Sequence, residues 1–459
     1  MTKSGKQLLI VFLIALLLRS LVLVVAVNHP ERTSSGDTAS YVQPAEELLK
    51  GSGYTFPGAL RTPIYPMFLA LFLAVFGQDR LAIVLAQVII SALTVVLTYQ
   101  AGIYLLPRRV ALIGALLLAV SLESIVNPFF ILSDTLFTFL FISALVTFIR
   151  YESEKRISWL FCSAMLMGLS ILCRPIALYF PAAIVLLLVI VHWRRWIAML
   201  ATSLAYLLVV YVILFAWLLR NQVVVGGPIL STISNYNLLY YNVASLDASL
   251  QGIPVDQYRS VEVPLLVQNE LSASGLPSTE ANLDKVYRTL AMRKILANPA
   301  RYALVHFRDD LQNLYPGWST TLEILVPSEN GGIQGTDVIR QEGILGTIRT
   351  YFGGQYWLVA LFLPTTLILA LTYIGDLAGT LLLVRSKSWF VLAVLILPIA
   401  YLLLLPGAPS NSRFRVPAMP AICLLAGMGA DWIWTCLTHL KVRMIISKSK
   451  KPGTSSASP

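Results

Sequence analysis

Hydrophobic residues along this chain form long uninterrupted runs that are separated by shorter polar segments. Runs of roughly 17 to 25 apolar residues are long enough, as helices, to cross the hydrocarbon core of a bilayer. The runs predict ten transmembrane helices, at approximately 8–27, 80–106, 110–127, 134–150, 157–173, 176–192, 197–219, 355–384, 388–406 and 415–436. We therefore expect an all-α polytopic membrane protein with about ten transmembrane helices.

Two polar segments are long enough to fold outside the membrane. The first, 28–79, contains a predicted helix at 40–50 that ends before two glycines. The second contains helical patterns at 279–296 and 300–314 and predicts a small, mainly helical loop domain. The resulting division is 1–219 for a seven-span catalytic module that includes the outer loop 28–79, 220–355 for the loop domain, 356–447 for the C-terminal transmembrane helices, and 448–459 for a disordered cytoplasmic tail.

One apolar run, 64–76, is too short for an ordinary span. Counting it as a span would move the basic residues at 108–109, 150–156 and 194–195 to the outside of the membrane, against the positive-inside rule. We therefore interpret it as a re-entrant or membrane-surface juxtamembrane helix that begins after Pro63. A tilted eleventh span is the alternative.

The basic charge of the chain follows its predicted topology. The chain has a net charge of +11, is 57% hydrophobic and is only 12% charged. Its basic clusters occupy the loops on one side of the membrane, which the positive-inside rule identifies as the cytoplasmic side. Both termini are then cytoplasmic and both large polar segments are external, so the charge requires no nucleic acid as a partner. The clusters are 107–109, 150–156, 192–196, 385–387 and the C-terminal tail.

The first external segment holds the strongest candidates for chemistry. Asp37 follows the first apolar run, and Arg61 comes about twenty residues later, four positions before Tyr65. A carboxylate can take a proton from a hydroxyl, and a guanidinium binds phosphate through paired hydrogen bonds. Together they predict a site that moves a sugar from a lipid phosphate, although Asp37 could instead cap the helix at 40–50.

Further candidates lie at the outer ends of other predicted spans. Asp134 either caps the fourth span or shares the site with Asp37. A single arginine at such a position can simply reach lipid headgroups, but several from distant parts of the sequence predict a ring that binds the donor phosphate. The ring consists of Arg61, Arg174, Arg220, Arg413 and Arg415, with Tyr65 beside it; Tyr41, Tyr236 and Asn237 are the candidates for contacts with the sugar or acceptor.

Three other features receive structural interpretations. Arg19 lies near the middle of the first run and is expected to pair with an acid inside the helix bundle. The interfacial aromatic belt accounts for most tyrosines near the outer face. The four cysteines lie in or beside apolar runs and the four histidines are far apart, so no disulfide framework and no metal-ligand spacing is indicated.

Several segments together resemble the GT-C glycosyltransferases, particularly the branch that holds protein O-mannosyltransferases and the aminoarabinose transferase of lipid A. The segments are Gly36-Asp37 with Ser40-Tyr41, Arg61-x-Pro63-x-Tyr65-Pro66, Ser133-Asp134, Leu172-Cys173-Arg174-Pro175, Leu219-Arg220-Asn221 with Ser234-Asn235-Tyr236-Asn237, and Arg413-Phe414-Arg415-Val416-Pro417. The resemblance covers nearly the whole chain and is weakest over 245–350. Asp37-Thr38 departs from the Asp-Glu pair of the mannosyltransferases, and Arg61-Thr62-Pro63 departs from the Lys-Pro-Pro of the aminoarabinose enzyme.

The resemblance implies an inverting glycosyltransferase on the outer face of the cytoplasmic membrane. It would move one sugar from a polyprenyl-phosphate donor to a hydroxyl of a lipid, glycan or protein, with Asp37 as general base and Arg61 at the donor phosphate. No cofactor is expected; a divalent metal, which some relatives use, is possible but is not predicted. A lipid-linked-sugar flippase or other transporter is the main alternative, and a non-catalytic lipid-binding protein is the third. Polar residues that cluster on one side of the membrane favour the enzyme.

Overall fold

The computed structural model describes residues 3–54, 58–325 and 357–449. Within these ranges all regular secondary structure is helical, which confirms the predicted fold class. The helices of the first half are α1 Lys3–Asn28, α2 Ala39–Leu49, α3 Ile64–Phe76, α4 Arg80–Leu105, α5 Arg108–Val120, α6 Leu122–Val126, α7 Asp134–Glu154, α8 Ile157–Cys173, α9 Phe180–His192 and α10 Trp196–Val224.

The remaining helices form the outer loop domain and the C-terminal bundle. In the loop domain they are α11 Ile233–Asn237, α12 Ala244–Gln251, α13 Val255–Gln257, α14 Val263–Ser274, α15 Glu280–Ala297, α16 Pro299–Asp310 and α17 Trp318–Leu325. In the C-terminal bundle they are α18 Trp357–Arg385, α19 Trp389–Leu404, α20 Ser412–Arg415 and α21 Met419–Ser449. Of the predicted tail, 450–459 lies outside the described residues.

Length and composition alone do not confirm the predicted number of membrane spans. The described part of the chain has six helical stretches long and apolar enough to cross a membrane, or seven if α5 and the segment after it, bent by 62°, count as one. One stretch, Pro175–Val224, has 50 residues. At 1.5 Å per residue it would be about 75 Å long, more than twice the hydrocarbon thickness, and Trp193–Arg195 divides it into α9 and α10.

Each of the ten predicted runs falls on helices, with 355 and 356 outside the described residues. The count of ten spans is not confirmed, because α8 and α19 are shorter apolar helices. The predicted helix at 64–76 coincides with α3, which begins after Pro63 and ends at Gly77 with a φ of 66°. The predicted placement of α3 as a re-entrant or membrane-surface helix stays a prediction.

The break between α5 and α6 is held by the buried Arg19. Its guanidinium donates to the Ala119 carbonyl at 3.2 Å, the Leu118 carbonyl at 3.4 Å and the Ser91 hydroxyl at 2.7 Å. The carbonyls belong to the last turn of α5, where helical partners are missing. The expected acid partner of Arg19 is wrong for the described residues: backbone carbonyls and a hydroxyl satisfy this cation instead of a carboxylate.

Helices α18 and α21 approach each other closely through glycines. Gly375 packs against the backbone of Ala426, Gly379 against the backbone of Leu425, and Gly429 against Gly375. Small residues spaced four apart let helix backbones come together in membranes, where close packing drives helix association. This contact holds α21, the helix that follows the segment with Arg413 and Arg415, against α18.

We expect the substitution Gly379→Ala to destabilise this helix pair. The added Cβ would clash with the carbonyl oxygen of Leu425, a backbone atom that cannot rotate away. Overpacking of this kind costs about 1 to 3 kcal/mol, so the thermal unfolding midpoint of the purified protein should fall. Leu377→Ala on the exposed face of α18 is the matched control. Equal midpoints for the two variants would contradict the close approach.

The loop domain has its own small core. Leu239, Val243, Tyr258 and Leu290 are buried together between its helices. The helical pattern predicted at 279–296 corresponds to α15, whose Thr279 side chain accepts a hydrogen bond from the Asn282 amide. The mainly helical character predicted for this segment is thus confirmed for its described residues, whereas the domain boundaries stay a prediction.

Candidate active site

Five charged side chains from separate parts of the chain meet at one place; we call Asp37, Arg61, Asp134, Arg174 and Arg413 the charge cluster. Arg61 donates to Asp37 Oδ1 at 2.8 Å, and Arg413 donates to Asp37 Oδ2 at 3.2 Å. Arg174 is paired with Asp134, and Arg413 Nε lies 3.7 Å from Asp134 Oδ2. Arg413 therefore bridges the two carboxylates.

Asp37 is held by the turn between α1 and α2. Its carbonyl accepts from the amide and the hydroxyl of Ser40, at 3.1 and 2.6 Å. The Thr38 hydroxyl accepts from the Ser35 amide and donates to the Ile131 carbonyl, which fixes the turn against the start of α7. Thr38 occupies the N-cap position of α2. Both carboxylate oxygens of Asp37 are thus free to meet arginines instead of capping the helix.

Contacts with Asp37, Ser40 and the Tyr41 ring fix the orientation of the Arg61 guanidinium. Arg61 Nε donates to the Ser40 hydroxyl at 2.9 Å, and Arg61 Cζ lies 4.4 Å from the centroid of the Tyr41 ring, a cation–π contact. Tyr41 in turn shares a hydrogen bond of 3.0 Å with the Ser133 hydroxyl. The predicted site residue Tyr41 therefore orients Arg61.

One side-chain donor of Arg413, its Nε, makes no hydrogen bond within the described residues. Asn411 caps the short helix α20 by accepting from the Arg413 amide at 3.0 Å. The Nε of Arg413 is buried and has no hydrogen-bond partner within the described ranges. A buried donor without a hydrogen bond is costly, and the nearest acid oxygen, Asp134 Oδ2, lies 3.7 Å away. Arg413 Nε can therefore donate to a further anionic oxygen without breaking an existing hydrogen bond.

The charge cluster has an excess of one positive charge, since three arginines face two aspartates. The Asp37 side chain is 42% exposed, whereas the Asp134 side chain is only 2% exposed. Partial burial tends to raise the pKa of Asp37, but the charges and hydrogen bonds of Arg61 and Arg413 together hold that pKa below its ordinary value. Asp37 is therefore a carboxylate at neutral pH and the one acid of the cluster that solvent reaches.

Tyr65 packs against Tyr41, the residue that orients Arg61 of the charge cluster. It is fully buried, its ring meets the Tyr41 ring edge-to-face at 5.1 Å, and its hydroxyl donates to Gln87 Oε1 at 2.9 Å. Gln87 donates to the carbonyls of Pro128 and Phe130. The phosphate contact predicted for Tyr65 stays a prediction, and its hydroxyl is engaged. Gln87 was missed, although an amide inside an apolar run was a signal for it.

Arg415 lies beside the cluster but has different partners. It is 0% exposed and donates to the carbonyls of Asn313 at 2.6 Å and Tyr315 at 2.9 Å. Its second amino group is paired with Glu123, which also accepts from the Gly317 amide at 3.0 Å. Arg415 therefore ties the loop domain to α6. Its predicted role at the donor phosphate stays a prediction, which these contacts do not support.

Arg220 contacts the loop that leads into Arg61. It donates to the Gly58 carbonyl at 2.9 Å and to Asn221 Oδ1 at 2.6 Å, and its guanidinium lies 4.8 Å from the Trp217 ring. In the same loop the carbonyls of Ala59 and Leu60 accept hydrogen bonds from the loop domain, and the Ala59 amide donates to Glu280 Oε2 at 2.8 Å. Arg220 therefore supports the backbone next to Arg61, and its predicted phosphate contact stays a prediction.

The remaining predicted contacts lie in the loop domain. Tyr236 stacks on Tyr240 with ring centroids 4.3 Å apart and meets the edge of Tyr287. Asn237 follows it at the end of α11. Their predicted contacts with substrate stay predictions. Across the described ranges no group of three His, Cys, Asp or Glu side chains could hold a metal ion, and metal independence also stays a prediction.

One part of the chain matches a known protein family. Residues 60–219 match the family model described as dolichyl-phosphate-mannose-protein mannosyltransferase. The matched segment includes Arg61, Asp134 and Arg174, whereas Asp37 and Arg413 lie outside it. No curated protein sequence matches the chain.

Solved structures of oligosaccharyltransferases share the fold. The archaeal oligosaccharyltransferase AglB from Archaeoglobus fulgidus, in complex with an inhibitory peptide and a dolichol-phosphate, matches 98% of this chain with a TM-score of 0.52 and 11% identity. The apo form of the Archaeoglobus fulgidus oligosaccharyltransferase matches 95% of it with a TM-score of 0.51 and 12% identity. The chain covers 53% and 52% of these proteins, so it spans about half their length.

A weaker likeness is to ArnT from Cupriavidus metallidurans bound to undecaprenyl phosphate. It extends over 94% of this chain and 78% of ArnT, at 13% identity and a TM-score of 0.41. That score is too low to support an argument about the fold. The family segment and the shared oligosaccharyltransferase fold together confirm the predicted resemblance to GT-C proteins.

Proposed function

We propose that this protein is an integral membrane glycosyltransferase that moves a single sugar from a polyprenyl-phosphate donor to an acceptor hydroxyl. The observation that carries the proposal is the charge cluster: one accessible carboxylate lies within hydrogen-bond distance of two arginines, and one positive charge is left over. A sugar joined to a lipid through one phosphate carries a single negative charge, which this excess matches. The family model of residues 60–219 supports the same class of donor.

The donor phosphate would enter between Arg61 and Arg413. Each arginine now donates to a different oxygen of Asp37, so phosphate oxygens would compete with the carboxylate for them. As the arginines turn to the phosphate, Asp37 loses part of the positive charge that depresses its pKa and becomes a stronger base. Binding of the donor would thus prepare the carboxylate for the next step.

Asp37 would then act as general base. Its free oxygen takes the proton of the acceptor hydroxyl while the hydroxyl oxygen bonds to the anomeric carbon of the sugar. The bond from that carbon to the phosphate oxygen breaks on the opposite face, so that the configuration inverts, and the phosphate keeps the electron pair. The product phosphate gains negative charge, which the arginines stabilise. No cofactor takes part, and we predict no metal.

The proposal places this site on the outer face of the cytoplasmic membrane, with both termini inside. The basic loops at 107–109, 150–156 and 385–387 support this orientation by the positive-inside rule. The donor tail would lie in the membrane, and the acceptor, which can be a lipid, a glycan or a protein, would arrive from the external side.

A transfer assay tests the proposal. The purified protein is reconstituted with radiolabelled polyprenyl-phosphate sugars and extracted envelope acceptors, with Asp37→Asn as the matched inactive control. We expect the label to move to an acceptor fraction only with the wild-type protein. Movement of the labelled donor across the bilayer without transfer would identify a flippase and overturn the proposal.

The pH dependence of transfer should reveal the pairing of Arg413 with Asp37. Removing Arg413 by Arg413→Gln removes one of two cations that lower the pKa of Asp37, so this pKa rises and less carboxylate is ionised at a given acidic pH. The acid limb of kcat/KM, which reports groups of the free enzyme, should therefore move to higher pH. Arg174→Gln, which loses the partner of Asp134 instead, should move it less. An unchanged limb in Arg413→Gln would exclude Asp37 as the titrating group.

A further inference from the structure

The helix α16 and the turn after it carry an apolar stripe that remains exposed. Leu304, Phe307, Leu311 and Leu314 are between 38% and 61% exposed. Their spacing of three, four and three residues puts them on one face of a helix. The opposite face packs inward through Val305. Apolar surface of this kind on consecutive turns marks an interaction site.

The stripe is attached to the end of a membrane helix. His306 Nε2 lies 3.1 Å from the Leu404 carbonyl, and the Asn313 side chain donates to the Leu403 carbonyl at 3.0 Å. Both partners belong to the last turn of α19. Because residues seven positions apart touch the same turn, α16 runs across the end of α19 and does not rise away from it.

The length of α19 gives the depth of that end. The helix has 16 residues, which corresponds to about 24 Å, whereas the hydrocarbon core is about 30 Å thick. Its other end follows Arg385 and Lys387, cations of the kind that anchor a helix end at the membrane surface. The Leu404 end therefore lies inside the hydrocarbon region, and any tilt of α19 would place it deeper.

A second span, α18, gives an independent measure of how deep this region lies in the membrane. The Tyr373 hydroxyl of α18 donates to the Leu314 carbonyl at 3.1 Å. Tyr373 precedes Arg385, the end of α18, by 12 residues, which corresponds to about 18 Å along the helix. Leu314 is therefore also at a depth within the hydrocarbon core, in agreement with the depth from α19.

We infer that α16 and the Leu311–Leu314 turn lie in the leaflet at the Leu404 end of α19, with the apolar stripe against lipid acyl chains. The exposed leucines at 404 and 405 continue the same surface onto α19. Arg301 and Arg308 on α16 donate to Ser249 and Asp309, so their charged groups are held by the loop domain. The loop domain is therefore partly embedded in lipid and does not stand wholly in water.

This contact adjoins the segment that carries Arg413. Asp310, at the end of α16, accepts from the Gly407 amide at 2.7 Å and from the Ser410 hydroxyl at 3.0 Å. The segment 407–410 leads directly into α20. Lipid around α16 thus borders the loop that positions one arginine of the charge cluster, but the inference does not depend on sugar transfer.

Site-directed spin labelling in liposomes tests this placement. Cys162 and Cys436 are replaced by serine so that they do not take up the label, whereas Cys173 and Cys423 are buried and can stay. Single labels are then introduced by Leu304→Cys, Phe307→Cys and Leu311→Cys. Leu377→Cys on the exposed face of α18 is the lipid control, and Asp256→Cys in the loop domain is the water control. The quantity measured is accessibility to oxygen relative to accessibility to a water-soluble nickel chelate.

We expect the labels at 307 and 311 to give a ratio several-fold above that of 256 and close to that of 377. A ratio like that of 256 would overturn the inference. Exclusion of both reagents would also overturn it, because it would mean that protein, such as the segment 326–356 or a partner, covers the stripe. Leu304→Cys gives the same readout if one of the other two variants does not fold.

Discussion

Replacement of Asp37 by asparagine is expected to abolish sugar transfer while the donor still binds. The amide keeps the size of the side chain but cannot take the proton of the acceptor hydroxyl. General bases contribute about 10²- to 10⁴-fold to a rate, and kcat should fall by that amount. The measurement is single-turnover transfer from a saturating labelled donor, together with the dissociation constant of the donor.

The matched comparison is Arg61→Ala, which leaves the base in place. Arg61 donates to Asp37 and to Ser40 in the free protein, and in the proposed mechanism it moves to the phosphate. Its loss should weaken donor binding more than the Asp37 substitution does. Wild-type turnover in Asp37→Asn would rule out the assignment of the base, even if the arginine behaved as expected.

The second large effect is expected from Arg415→Met, which should lower the stability of the protein and not the rate of the chemical step. Arg415 is completely buried, and the substitution leaves Glu123 without its charge partner and two carbonyls without donors. Breaking a buried pair from one side costs about 3 to 5 kcal/mol. We therefore expect a much lower unfolding midpoint, which fluorescence or calorimetry of the purified protein would detect.

Two further variants separate the causes. Arg293→Met breaks an exposed pair with Glu270 and should have little effect, since surface pairs contribute about 0 to 1 kcal/mol. The double variant Glu123→Leu with Arg415→Met removes both charges and should recover part of the loss. A double variant as unstable as the single one would show that the carbonyl contacts, and not the uncompensated charge, dominate.

The sequence predicted the local features of the fold well because their signals are local. Proline and glycine mark the ends of α3, and the predicted helix at 40–50 differs from α2 by one residue at each end. The meeting of Asp37 with Arg61 was also predictable, since both follow the same apolar run. For the pairing of Asp37 with Arg413, 376 residues away, the sequence predicted only that both residues lie on the same side of the membrane.

Other features depend on tertiary packing and could not be predicted. Arg19 and Arg415 are satisfied largely by backbone carbonyls, and carbonyls have no signature in a sequence. The arginine pattern that predicted a phosphate ring therefore included Arg415, which joins the loop domain to α6. The predicted number of spans is not confirmed, because hydropathy marks apolar helices but does not fix how they cross the bilayer.

The most direct test is a structure of the protein with a polyprenyl phosphate bound. The account predicts that the phosphate oxygens lie within about 3 Å of the guanidinium groups of Arg61 and Arg413, with at least one of the two released from Asp37. A phosphate bound elsewhere, while both arginines still hold Asp37, would contradict it.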